Sequence, residues 1–139
     1  MFGYSIDTRA ISEYQLRVLT ASRRLVDFEK KFLNTLANMV MQKAIKRTPV
    51  DTGLLRASWE VTQVKQRGNT LEITIYNDAK QGGADESYAS YVEYGHFTRN
   101  RVSWVDGHYM LTTSMDEVRA EMTRVWNILF NEFVMEVGL

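Results

Sequence analysis

The stretch "RTPVDTGLLRASWEV", Arg47 to Val61, holds the chain's only proline and decides how the rest is read. Pro49 has no backbone N–H and pushes the residue before it, Thr48, away from helical angles, so a helix arriving from upstream must stop by Arg47. Asp51 or Thr52 can accept from nearby backbone amides in a turn, Gly53 permits a sharp reversal, and Ser58 and Trp59 open an extended segment. The stretch therefore reads as a junction between a helix and a sheet.

Upstream, Ser12 and Gln15 have the spacing of a capping box, and apolar residues follow at Leu16, Leu25, Phe28, Phe32, Leu36, Met39 and Val40. The pattern predicts one long helix, or two with a break near "TASRR" (20–24), ending by Arg47. Downstream, Trp59, Val61 and Gln63 alternate with Glu60, Thr62 and Val64. Leu71, Ile73 and Ile75 alternate in turn with Thr70, Glu72, Thr74 and Tyr76, and "KQRGN" (65–69) lies between the two runs. Period-two alternation around a glycine turn predicts an antiparallel hairpin.

"NDAKQGGADES" (77–87) is polar, glycine-rich and aperiodic, a long loop. "YASYVEYG" (88–95) predicts a short helix with Tyr88, Tyr91 and Val92 on one face, closed by a left-handed Gly95. His96 to His108 reads as irregular, with a brief strand around Val102, Trp104 and Val105. Ser114 and Glu117 form a second capping pattern, after which Val118, Met122, Val125, Leu129, Phe133 and Val137 follow at helical spacing. Trp126 and Phe130 widen that stripe, so this last helix is buried on more than one side or offers surface to a partner. The expected fold is α+β, one domain over residues 1–139, with long N- and C-terminal helices packed on a small antiparallel sheet and a short helix and long loops between.

The 139 residues are 45% hydrophobic, enough for a real core, and formal charge balances at zero. The balance hides an asymmetry: residues 1–70 carry 12 of 17 basic and 6 of 17 acidic side chains, and the remainder the reverse excess. Either the halves pair internally or each copy offers opposite faces to its neighbours. There is no cysteine, which closes thiol chemistry and disulfides. The longest apolar run falls far short of the ~20 residues of a membrane span, and "MFGYSIDTRAIS" lacks a secretory pattern, so no membrane role is expected.

Candidate chemistry is thin. His96 and His108, with Glu93 and Asp106, fit no metal-ligand spacing, and Asp85 and Glu86 are neighbours in a loop rather than facing carboxylates. Ser58, Ser87, Ser90, Ser103 and Ser114 lack the glycine-flanked elbow of a nucleophile, and no glycine motif cradles phosphate. Arg99 and Arg101 beside Phe97 and Trp104 mix cations with aromatics, as single-stranded nucleic-acid grooves do, but two arginines in an acidic half favour a protein-facing loop. Loop aromatics such as Tyr88, Tyr91, Phe97, Trp104 and Tyr109 point to interfaces. The residues themselves lead to a self-associating or partner-binding structural protein without catalytic, metal or cofactor sites.

Arg-Thr-Pro-Val-Asp-Thr-Gly-Leu-Leu-Arg-x-Ser after a long helix closely resembles the head–tail joining proteins of long-tailed bacteriophages and prophages, also termed neck, tail-completion or minor tail components. The residues carrying that likeness are Thr48, Pro49, Asp51, Thr52, Gly53, Leu55, Ser58 and Trp59. A second motif matches at Tyr88, Ala89, Tyr91, Val92, Glu93 and Gly95, followed by His96, and a looser one at "WVDGHYML" (104–111), where Asp106 stands in place of a common Pro. Together the matches run from about residue 25 to the C-terminus.

The resemblance implies a non-enzymatic virion component at the head–tail junction, assembled in the host cytoplasm as a six- or twelvefold ring. Its partners would be connector or stopper proteins and the tail terminator or tail tube, with passing contact to viral DNA in the channel. It further suggests that the first motif is architectural. Glu93 is expected to pair with Arg99 or Arg101 of the same or a neighbouring subunit, and the 77–87 loop to order against the next ring. A tail terminator ring, and an unrelated small enzyme or binding module, stand as rival readings. A clustered pocket of titratable groups would mark the last.

Overall fold

The computed structural model describes residues 3, 5, 7–50, 53–80 and 88–139. Along the chain run α1 (Arg9–Arg47), α2 (Leu54–Ala57), β1 (Trp59–Val61), β2 (Lys65–Arg67), β3 (Thr70–Glu72), β4 (Ile75–Asn77), α3 (Tyr88–Tyr94), β5 (Gly95–Phe97), β6 (Trp104–Asp106) and α4 (Met110–Glu136). The fold is α+β, as the sequence predicts: two long helices and small antiparallel strand pairs. The described residues group into two compact units, Met1–Phe32 with Thr123–Leu139, and Leu33–Met122.

Helix α1 begins at Arg9, ahead of the predicted Ser12 cap. Asp7 holds the helix start: its Oδ1 accepts the Arg9 backbone N–H at 2.9 Å, and its carboxylate pairs with the Arg9 guanidinium at 2.7 Å. Those bonds keep the Asp7 carboxyl below its ordinary range. The Ser12 N–H already donates to Thr8 O, so Ser12 lies inside the first turn and cannot cap it. No break occurs at 20–24. The hydroxyls of Thr20 and Ser22 donate to the carbonyls of Leu16 and Leu19 on the same helix, so this polar run satisfies itself without interrupting the ladder.

The far end of α1 stops where Pro49 requires. Thr48, 1% exposed, donates its hydroxyl to Ala44 O at 2.6 Å and accepts the Trp59 indole N–H at 2.8 Å. The Arg56 guanidinium donates to Thr48 O at 3.0 Å. One hydroxyl thus ends the helix and seats the first strand's tryptophan. Thr48→Val keeps the shape but orphans a buried indole N–H and a helix-end carbonyl. Urea unfolding is expected to show a loss of about 2 kcal/mol. Combining it with Trp59→Phe should recover about 1 kcal/mol of the summed single losses, whereas additive losses would show that the bond contributes nothing.

The predicted hairpin is present but carries a bulge. Strands β1 and β4 pair with Trp59 opposite Asn77 and Val61 opposite Ile75, while β2 and β3 pair with Lys65 opposite Glu72 and Arg67 opposite Thr70. Residues 62–64 therefore face only 73–74, one extra residue on the first strand. Thr62 keeps the ladder going into this step, donating its N–H to Thr74 O at 2.8 Å and accepting the Thr74 N–H on its hydroxyl at 3.0 Å. The offset reverses the alternation. Val64, which simple period two places opposite Val61's face, joins the face of Leu71, Ile73 and Ile75.

In the unit Leu33–Met122, the core joins Ala44, Leu55, Trp59, Ala79, Val92 and Met110, with Met41, Ile45, Tyr88, Ala89 and Leu111 packed against it. In the other unit, Ala21, Phe28 and Phe133 are buried with Trp126, Leu129 and Phe130 around them. Phe28 meets Trp126 edge-on at 4.9 Å and lies 5.0 Å from Phe133. Edge contacts of this kind add to burial.

Helix α4 begins at Met110, so Ser114 and Glu117 are not its cap. Ser114 is fully buried, donates to Met110 O and accepts from the Arg47 guanidinium at 3.1 Å. Glu117 accepts from Lys43 at 3.1 Å and pairs with Arg47. Arg24 with Glu136 and Lys31 with Glu132 repeat the scheme in the other unit. Part of the charge asymmetry is thus met within the chain, α1 cations against α4 carboxylates.

The Glu117 carboxyl sits below its ordinary value, first through the hydrogen bond from Lys43 and then through Arg47, with desolvation opposing. A carboxyl depressed in the folded state stabilises above its unfolded pKa, and that contribution disappears as pH falls through the folded value. Melting temperature should therefore drop between about pH 5 and about pH 2 in the wild type, and less steeply in Glu117→Gln, which starts lower at neutral pH. Parallel slopes for the two proteins would count against the pairing.

Candidate functional site: a helix clasp and an exposed aromatic hairpin

Glu93 is the second motif's buried acid, 6% exposed on α3. Its Oε2 accepts the Leu111 N–H at 2.9 Å, and its Oε1 accepts the Thr112 N–H at 2.8 Å and the Thr112 hydroxyl at 2.6 Å. These are orphan donors in the first turn of α4, where the helix dipole also favours negative charge. Glu93 is therefore the cap of α4, supplied by another helix. The expected pairing with Arg99 or Arg101 is corrected accordingly: the carboxylate is occupied inside the subunit. The exchange is mutual, since the His108 and Tyr109 N–H groups donate to Val92 O and Glu93 O at 2.7 and 3.1 Å, closing the C-terminal end of α3.

Two glycines make the clasp possible. Gly95 has φ +85°, the left-handed conformation that the sequence predicts, and it also begins β5. A Cβ at Gly95 would meet Val105 O and Gly107 N, and one at Gly107 would meet Glu93 O, Tyr94 C and Gly95 N, all under 3 Å. The chain crosses itself there with no room for a side chain.

From this crossing projects a hairpin of which the sequence pattern anticipates only the second strand, around Trp104 and Val105, with Val102 falling outside it and β5 read as irregular. Strands β5 and β6 pair with Gly95 opposite Asp106 and Phe97 opposite Trp104. Its turn is well bonded: the Thr98 N–H donates to Ser103 O at 2.8 Å, the Thr98 hydroxyl donates to Asn100 Oδ1 at 2.7 Å, and Arg101 takes φ +56°. Phe97 and Trp104 stack edge-on at 5.0 Å and are both more than half exposed. Tyr91 meets the His96 ring at 5.8 Å. Tyr91, His96, Phe97, Thr98, Arg99 and Arg101 line one open groove. Such a surface suits packing and cation–π contact with a protein partner.

The structure sorts the motif residues into two groups. Thr48, Leu55, Trp59, Tyr88, Ala89 and Val92 converge on one core, so the two motifs form a single architectural unit. Gly53 takes φ +80°, and Ser58 closes α2 with its hydroxyl on Leu54 O. Pro49 follows the helix end. Asp51, Thr52 and the part of the predicted loop at 81–87, with Asp85 and Glu86, lie outside the described residues. Tyr91, His96, Arg99, Arg101 and Trp104 gather on the exposed hairpin face. Asn77 and Gly107 escaped sequence reading. Asn77 donates to Leu55 O at 2.6 Å and accepts the Ala79 N–H at 3.0 Å, an arrangement foreshadowed only by the turn propensity of Asn-Asp. Gly107 was signalled only by the Asp-Gly pair.

Among the described residues, no group of three His, Asp or Glu side chains is placed to hold a metal ion, and no helix is long and apolar enough to cross a membrane. The described residues thus form a core joining the two motifs, with an exposed aromatic hairpin beside it. Residues 14–95 match the family described as "Bacteriophage HK97-gp10, putative tail-component". The chain belongs to this family and is a bacteriophage structural protein. No curated protein and no solved structure matches it.

Proposed function

We propose that this protein completes the head–tail junction of a long-tailed phage or prophage, assembling as a ring and joining capsid to tail without catalysis. Family membership supports a tail-associated role, and the hairpin of β5 and β6 carries the finer reading. A rigid turn presenting Phe97, Trp104, Arg99 and Arg101 to solvent is a ready contact for an adjoining neck or tail component. The buried residues of the two motifs, Thr48, Leu55, Trp59, Val92 and Glu93, supply the frame that holds this hairpin, while Tyr91 and His96 of the second motif join its exposed face.

Electron microscopy of a lysate lacking only this gene tests the role. DNA-filled heads beside free tails of normal length are the expected result, with purified protein restoring joined particles. Intact infectious virions would refute the joining role, and tails of uncontrolled length would assign the protein to tail termination. Phe97→Ser with Trp104→Ser should leave helix content unchanged and lower complementation of the deletion at least about tenfold, consistent with loss of a hot-spot pair.

A further inference from the structure

The turn between β5 and β6 is cationic, and the chain does not neutralise it. Of the arginines in the unit Leu33–Met122, Arg47 and Arg67 pair with Glu117 and Glu72, Arg119 pairs with Asp116, and Arg56 donates to Thr48 O. Arg99 and Arg101 are exposed, and among the described residues neither guanidinium meets an acceptor of the chain. Residues 98–103 contain no acid, and Asp106 lies at the hairpin's base, opposite Gly95. Arg101 also holds φ +56°, a left-handed conformation that costs an arginine more than a glycine. Side chains fix that backbone: Asn100 Oδ1 accepts the Thr98 hydroxyl at 2.7 Å and the Val102 N–H at 3.3 Å, and the Thr98 hydroxyl accepts the Ser103 N–H at 3.2 Å. Both arginines line the groove, about 720 Å³ in volume, whose walls include Tyr91, His96 and Phe97.

We propose, resting on the reading of this hairpin as a contact surface, that the groove takes an acidic segment of a different protein. Asp or Glu carboxylates of that segment pair with Arg99 and Arg101, and a neighbouring apolar side chain packs on the rings of Tyr91 and Phe97. Charge complementarity argues for an anion, because a guanidinium stays charged at every physiological pH and its planar fork matches a carboxylate or a phosphate. The footprint selects the carboxylate. Nucleic-acid surfaces neutralise a run of phosphates with a stripe of cations, whereas this turn offers two arginines. The groove volume falls within the ~300–1,000 Å³ of sites that enclose small ligands, room for a few side chains rather than a polynucleotide track. Exposed aromatic rings beside the cations supply the apolar half of the contact.

Amide-resolved nuclear magnetic resonance titration of the full chain tests this, with the blocked peptide acetyl-Glu-Phe-Glu-Phe-Glu-amide as probe. Its Gln counterpart and a thymidine oligonucleotide of equal charge serve as comparisons. The acidic peptide is expected to shift the amides of Phe97 to Arg101 and to bind at least about tenfold more tightly than either comparison. Raising salt from about 50 to about 500 mM should weaken that binding, since exposed charges are screened. Arg99→Gln with Arg101→Gln should lose at least about tenfold in affinity, and Arg99→Lys with Arg101→Lys should lose less. Arg101→Gly suits the left-handed turn, so it keeps the hairpin folded while removing one cation, and it should still weaken binding. Equal binding of the Gln peptide, preference for the oligonucleotide, no shift at these amides, or a double Gln variant of unchanged affinity overturns the proposal. The joining role stands or falls separately. Probe binding by a protein whose gene deletion leaves intact virions removes only the joining role, and restored head–tail joining without probe binding removes only the acidic occupant.

Discussion

Glu93→Ala is expected to destabilise the protein by about 3 kcal/mol, the combined effect of losing a charged cap and leaving a buried gap. Three donors at the start of α4 converge on this carboxylate from 2.6 to 2.9 Å, and the group is almost fully enclosed. Removal leaves the Leu111 and Thr112 N–H groups without their acceptor in a site that water reaches poorly, so the loss exceeds that of an exposed cap. For a chain of this length the shift should approach 10 °C in melting temperature. Glu93→Gln separates acceptor from charge. One oxygen remains, but an NH₂ donor now faces N–H donors, and about half of the loss should persist. Thermal unfolding by circular dichroism reads both variants. A Glu93→Ala protein melting within about 2 °C of wild type would mean that α4 is capped by other means.

Why this residue reads as an interface acid in the sequence is instructive. A Glu in a short helix is exposed in most proteins, and nothing within a few residues of it marks a partner 18 positions away. That distance also hides the start of α4, and a misleading local pattern obscures both helix starts. Ser12 with Gln15, and Ser114 with Glu117, carry the capping spacing, yet residues three apart are also neighbours inside a helix, so the pattern does not distinguish start from interior. The true starts lie at Asp7, by a local bond, and at Glu93, by a tertiary one. By contrast, the junction at Pro49, Gly53 and Trp59 and the left-handed close of α3 at Gly95 were legible because each depends on one residue's own stereochemistry. The bulge at 62–64 and the β5–β6 hairpin fall between these cases. Strand alternation is local, but register is set by cross-strand bonds such as Thr62 with Thr74, and a three-residue strand does not announce its partner: β6 is legible around Trp104 and Val105, β5 is not.

Gly107→Ala should have the largest effect of all, at least about 4 kcal/mol and enough to prevent accumulation of folded protein at 37 °C. The atoms that its methyl would strike belong to the backbone of Glu93, Tyr94 and Gly95, and backbone cannot swing aside as a side chain can. To admit the methyl, β6 must withdraw from the end of α3. That movement strips Val92 O and Glu93 O of the His108 and Tyr109 donors and carries the cap acceptor away from α4. Gly95→Ala meets the same crossing from the other strand and adds the strain of φ +85°. Once one substitution has opened the crossing, the second finds it already open, so the double variant should fall well short of the summed losses. Gly53→Ala is the control for dihedral strain without crowding. Gly53 has φ +80° but open space around the added methyl, and the cost should stay near 1 kcal/mol. Urea unfolding of the four proteins separates the two causes. A Gly107→Ala loss no greater than that of Gly53→Ala would show that α3 and β6 do not touch as closely as the clasp requires.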